Sequence, residues 1–238
     1  MFFVCVGIWS ALEYGPEVTM AKKIGVVLSG CGVNDGSEIH EAVLTLLAID
    51  RAGAEAVCMA PNIPQHHVVN HLTGTESLGE ARNVLVESAR IARGKIRDIA
   101  TVSAKDIDAL ILPGGFGVVK NLCDYASAGP NCSPNPDVVR LAMEVHTARK
   151  PIGAICIAPV LVARMIGHEH PTLTIGTDKS VAKDVEQMGG QHVSCPVFEF
   201  VVDRERKIVT TPAYMLANSI KEAAGGIDQL VLAVIDLA

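Results

Sequence analysis

Pro151-Ile152-Gly153-Ala154-Ile155-Cys156-Ile157-Ala158-Pro159 decides the fold. An apolar run ends at Cys156, and the residues after it, Ile157 to Ala163, read as the start of a helix. A strand that turns directly into a helix is the repeating step of an α/β sheet. The turn lifts the sulfur out of the sheet, and the free amides and positive end of the helix favour a thiolate, so a lowered Cys156 pKa is expected. Ala154, Ala158 and Pro159 suit so tight an elbow, since proline at the first helical position loses no needed amide hydrogen. The same residues are compatible with a buried structural cysteine.

Two further segments end in the same manner. Residues 107–112, Ile-Asp-Ala-Leu-Ile-Leu, run into Pro113-Gly114-Gly115-Phe116-Gly117. Adjacent glycines at a strand end let the backbone turn with amides directed into a crevice, as an oxyanion requires, although such a loop is often only a turn. Ile24 to Leu28 precede the glycine-rich loop Ser29-Gly30-Cys31-Gly32-Val33-Asn34-Asp35-Gly36 and a helix. Three such strand ends converge on one edge of a parallel sheet.

Strand and helix patterns alternate from residue 22 onward, which predicts a doubly wound, flavodoxin-like α/β domain with helices on both faces of a mostly parallel sheet. A helix is expected over 37–52, with Asp35 and Glu38 spaced as a capping pair and Ile39, Val43, Leu46 and Leu47 on one face. Strands are expected at 54–60, 173–176, 198–202 and 207–211, and helices at 78–93, 137–149 and 216–236. The stretch 123–136, with three prolines, reads as an ordered loop. Residues 1–20 are apolar at first but too short to span a bilayer; they are read as an extension outside a single domain over 21–238.

Composition excludes several roles. A net charge of −6 without a basic cluster argues against nucleic acid, and nothing indicates a membrane partner. Seven widely spaced cysteines without a Cys-x-x-Cys pair point to a reducing compartment, read as the cytoplasm, and to no zinc ribbon. The histidines at 66, 67 and 71 and at 168 and 170 lack a completing ligand set, so no metal is expected.

The elbow Ala154 to Pro159 and the loop Leu112 to Gly117 together resemble the ThiJ/PfpI superfamily, within the class I glutamine amidotransferase-like fold. Ser29 to Val33, Asp35 to Glu41, Asn70 to Gly74 and Ile208 to Met215 are similar to one branch of it, ElbB, the isoprenoid-biosynthesis glyoxalases also called enhancing lycopene biosynthesis proteins. The resemblance covers residues 21–238 and implies a cofactor-free enzyme that converts glyoxal to glycolate, in a homodimer. It implies that Glu41, from the first helix, partners Cys156 as a protonated or proton-sharing carboxyl raised by burial, with Glu38 as the helix cap. A solvated helix-face charge is the other reading of Glu41. Amides of Gly115 and Ile157, beside Gly114, are the expected oxyanion donors, and Gly115→Val is expected to stop turnover while leaving the fold largely intact.

One departure bears on the activity. Relatives place a histidine directly after the elbow cysteine or further downstream, whereas residue 157 is isoleucine and 172–178 contain no histidine. Protease and glutaminase chemistry are therefore not expected. His40 or His71 stands as a possible accessory base, or as a structural residue. The alternative function is a noncatalytic or redox-sensing protein linked to isoprenoid metabolism, with Cys156 as an oxidisable thiol.

Overall fold

The computed structural model describes residues 21–238; the extension expected over 1–20 lies outside the described residues. The chain opens with β1 (Lys23–Val27), α1 (Ile39–Arg51) and β2 (Glu55–Ala60), then a small hairpin of β3 (Val69–Asn70) and β4 (Thr75–Glu76). It continues through α2 (Val84–Ile91), β5 (Arg97–Asp98), β6 (Ala109–Leu112), α3 (Phe116–Lys120), α4 (Tyr125–Ala128) and α5 (Pro136–Thr147). The elbow pair is β7 (Ile152–Ile155) and α6 (Pro159–Ile166), followed by β8 (Thr172–Leu173), α7 (Lys179–Gln187) and β9 (Gln191–His192). β10 (Val201–Asp203), β11 (Ile208–Thr211) and α8 (Ile220–Leu237) complete it.

Seven strands form one sheet in the order β10-β11-β7-β6-β1-β2-β5, parallel at every pairing except β10 with β11. This is the expected flavodoxin-like α/β architecture. β1, β6 and β7 are neighbours at its centre, so their three carboxyl-end loops open side by side. Because side chains alternate along a strand, each central strand feeds two cores. Val27, Met59 and Leu110 face α5 and α6 on one side; Ile24, Val26 and Ile111 face α1 and α8 on the other. Burial on both faces explains why these strands read as continuous apolar runs.

Several expectations need correction. α1 buries Glu41, Ala42, Thr45, Ala48 and Ile49, whereas Ile39, Val43 and Leu47 are exposed. Small residues let the helix lie close to the sheet, and that rotates the bulky apolar stripe outward. Asp35 is no capping partner, since its Oδ2 accepts from the Val69 amide at 2.7 Å. The strand expected at 173–176 is confined to β8, which pairs with β9 apart from the main sheet. The loop at 123–136 contains α4, and α3 and α7 were not expected.

Candidate active site

Cys156 follows β7 with φ of +62°, the left-handed region that costs a non-glycine residue on the order of 1–3 kcal/mol. Its amide is held by the Thr211 carbonyl at 2.9 Å, so the neighbouring strand β11 fixes the strained turn. α6 begins two residues later than the sequence suggests, at Pro159, and Ile157-Ala158 form the turn between. The sulfur is thereby turned to the sheet edge, with the residue only 8% exposed.

Glu41 meets it from α1. The carboxyl is fully buried and lies beside the Cys156 side chain, both of them against Gly114. Oε2 accepts from the Gly114 amide at 2.9 Å and Oε1 from the Tyr214 amide at 3.1 Å. Glu38 caps α1, accepting from the Glu41 amide at 2.6 Å, while its own amide donates to the Gly114 carbonyl at 2.9 Å. Two more backbone bonds, Phe116 N–H to Val33 O and Gly117 N–H to Gly36 O, each 2.8 Å, fasten the β6 loop to the β1 loop. The carboxylate and the β6 loop are thus positioned through one shared seam, while β11 holds the elbow.

Both glycines have steric causes. A Cβ at Gly114 would lie 2.6 Å from both Cys156 Cβ and Glu41 Oε2, so the pair approaches only across a bare Cα. Gly115 has φ of +100°, and a Cβ there would collide with Glu38 N and Gly36 O. The expectation that Gly115→Val spares the fold is corrected accordingly. Gly114 also differs from its expected role, because its amide is already engaged by Glu41. The amides of Ile157 and Gly115 are the ones that face the sulfur.

Electrostatics overturn the expected thiolate. Burial pushes the Cys156 thiol well above its ordinary value, and the negative charge of Glu41 pushes the same way; the Ile157 and Gly115 amides pull it down, but less. Burial also raises Glu41 to about 7, against the Tyr214 and Gly114 amides that favour its ionised form. Two adjacent groups that each resist ionisation hold protons in common. At neutral pH the pair is a thiol beside a partly ionised carboxyl, whose carboxylate form accepts the thiol proton.

A cavity of about 450 Å³ opens over the sulfur, with Cys156, Ile157 and Gly115 at its base. Tyr214 lines it and links outward, its hydroxyl 2.9 Å from His40 Nδ1. His40 itself is half exposed and lies 3.9 Å from Glu38 Oε1. His71 is not brought to the site: its Nε2 accepts from the Asn34 amide at 3.2 Å and its Nδ1 lies 3.0 Å from the Val69 carbonyl. Among the described residues no histidine lines the cavity. Sequence reasoning about the site missed Tyr214, whose backbone amide orients Glu41; an amide leaves no mark on residue type.

Residues 31–216 match the model of the DJ-1/PfpI family. Over 224 residues the chain is 46% identical to the human glutamine amidotransferase-like class 1 domain-containing protein 3, mitochondrial, covering 91% of this chain and 84% of that protein. It is 36% identical over 206 residues to the ES1 protein, mitochondrial, of Danio rerio, covering 81% and 76%. Among solved structures, the isoprenoid biosynthesis protein with amidotransferase-like domain from Ehrlichia chaffeensis superposes with a TM-score of 0.83 at 38% identity, covering 91% of this chain and 100% of that one. Drosophila melanogaster DJ-1beta, at 19% identity and a TM-score of 0.53, covering 92% of this chain and 96% of that one, shares the fold. The expected cytoplasmic location is corrected by these relatives, since the human, rat and zebrafish proteins are all named mitochondrial.

Proposed function

The chain belongs to the DJ-1/PfpI family, and from that premise we propose that it is a cofactor-free glyoxalase of the isoprenoid-biosynthesis branch, converting glyoxal to glycolate through Cys156. The observation that carries this reading is the buried Cys156–Glu41 pair, packed side by side against Gly114, with Glu41 raised to about 7. The 38% identity to the Ehrlichia chaffeensis protein supports the branch.

The chemistry needs only groups present at the site. As sulfur attacks one aldehyde carbon, the thiol proton passes to the Glu41 carboxylate, and the Ile157 and Gly115 amides hold the forming oxyanion. Glu41 returns that proton to the oxygen, giving a neutral hemithioacetal. The regained carboxylate removes the proton from the thiohemiacetal carbon to give an enediolate, then returns it to the second carbon while the first carbon's hydroxyl proton passes to the second oxygen, leaving the glycolyl thioester. One carbon is oxidised and its neighbour reduced, so no external electron carrier enters. Water then cleaves the glycolyl thioester, releasing glycolate and restoring the thiol.

The redox-sensor alternative needs an exposed, low-pKa thiol. Cys156 is buried and its pKa is raised. Cys31, Cys58, Cys123, Cys132 and Cys195 are likewise raised by burial, so Cys156 is distinguished by its adjacent base and not by acidity. The test is glycolate formation from glyoxal by the wild-type protein, Cys156→Ser and Glu41→Gln. Loss of turnover in the first variant and a fall of roughly 10²-fold or more in the second are expected. Turnover that persists in Cys156→Ser would sink the proposal.

A further inference from the structure

The cavity is built for more than glyoxal. At about 450 Å³ it lies within the roughly 300–1,000 Å³ of sites that enclose drug-sized ligands, whereas glyoxal has four heavy atoms. Above the sulfur the walls are apolar: Phe116 and Val119 of α3, Val181 of α7 and Met215. Phe116 is an exposed large apolar residue, at 49%. Tyr125 closes that end, its hydroxyl donating to Asp184 Oδ2 at 2.7 Å, which ties α4 to α7.

Charge is equally one-sided. Among the described residues Glu38 is the charged side chain on the lining, and no lysine or arginine lines it. The nearby cation, Lys120, lies 4.9 Å from the Phe116 ring centroid, but its ammonium hydrogen-bonds the Asn34 carbonyl at 3.0 Å and lies 3.1 Å from His67 Nε2. Asp184 adds a second carboxylate behind Tyr125. A substrate carrying a carboxylate or phosphate would meet the Glu38 carboxylate and no lysine or arginine on the described lining, while a neutral apolar arm would displace water from an apolar wall.

We infer that the site accepts glyoxal but prefers neutral 2-oxoaldehydes bearing an apolar arm of aryl or branched-alkyl size, and selects against anionic analogues. The inference rests on the glyoxalase reading for its chemistry and on the cavity walls for its selectivity. The reaction is R–CO–CHO plus water giving R–CHOH–COOH: the aldehyde carbon is oxidised to the acid and the ketone carbon reduced to the alcohol. Cys156 forms and releases the carbon–sulfur bond at the aldehyde carbon.

Matched probes separate size from charge. The quantity measured is kcat/KM of the full chain for glyoxal, phenylglyoxal and 4-carboxyphenylglyoxal, following glycolate, mandelate and 4-carboxymandelate. An apolar pocket discriminates a single methylene by about 10-fold or more, so phenylglyoxal is expected to exceed glyoxal by at least that factor. The carboxylated analogue should fall below phenylglyoxal by a similar factor. Val181→Trp, which fills the apolar end, should reduce phenylglyoxal turnover more than glyoxal turnover. Glyoxal turned over as well as phenylglyoxal, or a carboxylated analogue equal to its parent, would overturn the inference and leave the glyoxalase reading standing. Should no dicarbonyl be turned over, the glyoxalase reading fails, and alkylation of Cys156 decides the pocket. Rates with phenacyl bromide and with iodoacetate, each divided by its rate with free cysteine, are expected to favour phenacyl bromide by about 10-fold or more; equal ratios would overturn the selectivity.

Discussion

At the scale of single residues, the proton between Cys156 and Glu41 governs behaviour. The carboxylate of Glu41 is the form that accepts the thiol proton, so kcat/KM for a dicarbonyl is expected to rise with pH along a limb whose apparent pKa lies near 7. That value belongs to the pair and not to one residue. A rate already at its plateau at pH 5 would show that Glu41 does not serve as base. The same shift has a consequence for stability. Glu41 is raised above its ordinary 4.5, so the folded state prefers the protonated carboxyl; that preference is fully present below pH 4.5 and is lost as pH rises through about 7. Its full size is about 3 kcal/mol. Denaturant unfolding at pH 5 and pH 8 should show the wild type losing up to that much more than Glu41→Gln. Parallel losses in both proteins would mean that Glu41 keeps an ordinary pKa in the fold.

At the scale of elements, α1 serves as both scaffold and carrier of the base, and its first turn is what aims Glu41. Glu38→Ala removes the acceptor for the Glu41 amide and should cost roughly 0.5–2 kcal/mol, with Glu38→Gln retaining most of it. Equilibrium unfolding of the two variants measures this; an unchanged Glu38→Ala would show that the seam to the β6 loop alone holds the turn. α1 also marks where sequence reading stops. Central strands such as Ala109–Leu112 and Ile152–Ile155 were legible because burial on both faces leaves an unbroken apolar run ending in glycine or cysteine. The orientation of α1 was not, because its packing face is made of Ala42, Thr45 and Ala48, while periodicity weighs Ile39, Val43 and Leu47 more heavily. α3 is five residues long and contains Gly117, too short for a period to register. α7 buries Val185 alone, though Asp178, which accepts from the Ser180 and Val181 amides, was a readable cap. Within the site, Cys156, Glu41 and the paired glycines were legible from residue type and spacing. The apolar walls that give the cavity its selectivity come from α3, α4 and α7, the elements the pattern did not show.

At the scale of the whole molecule, the site sits on the layer shared by two cores. Along β7, Ile152 and Ala154 belong to the core under α5 and α6, while Ile155 and Cys156 belong to the core under α1 and α8. Neither core can loosen without releasing one side of the strand that holds the strained elbow. Leu141 of α5 and Ile227 of α8 are fully buried on opposite faces. Truncating a buried leucine or isoleucine to alanine costs about 2–5 kcal/mol, which for a chain of this size lowers the melting temperature by on the order of 10 °C. Leu141→Ala and Ile227→Ala are therefore expected to shift one and the same transition by comparable amounts. Iodoacetamide labelling of Cys156 should accelerate along that transition in both variants, because opening either core frees the elbow. Two separable transitions, with labelling that follows only the α1 and α8 side, would show that the faces unfold independently and that the sheet does not couple them to the site.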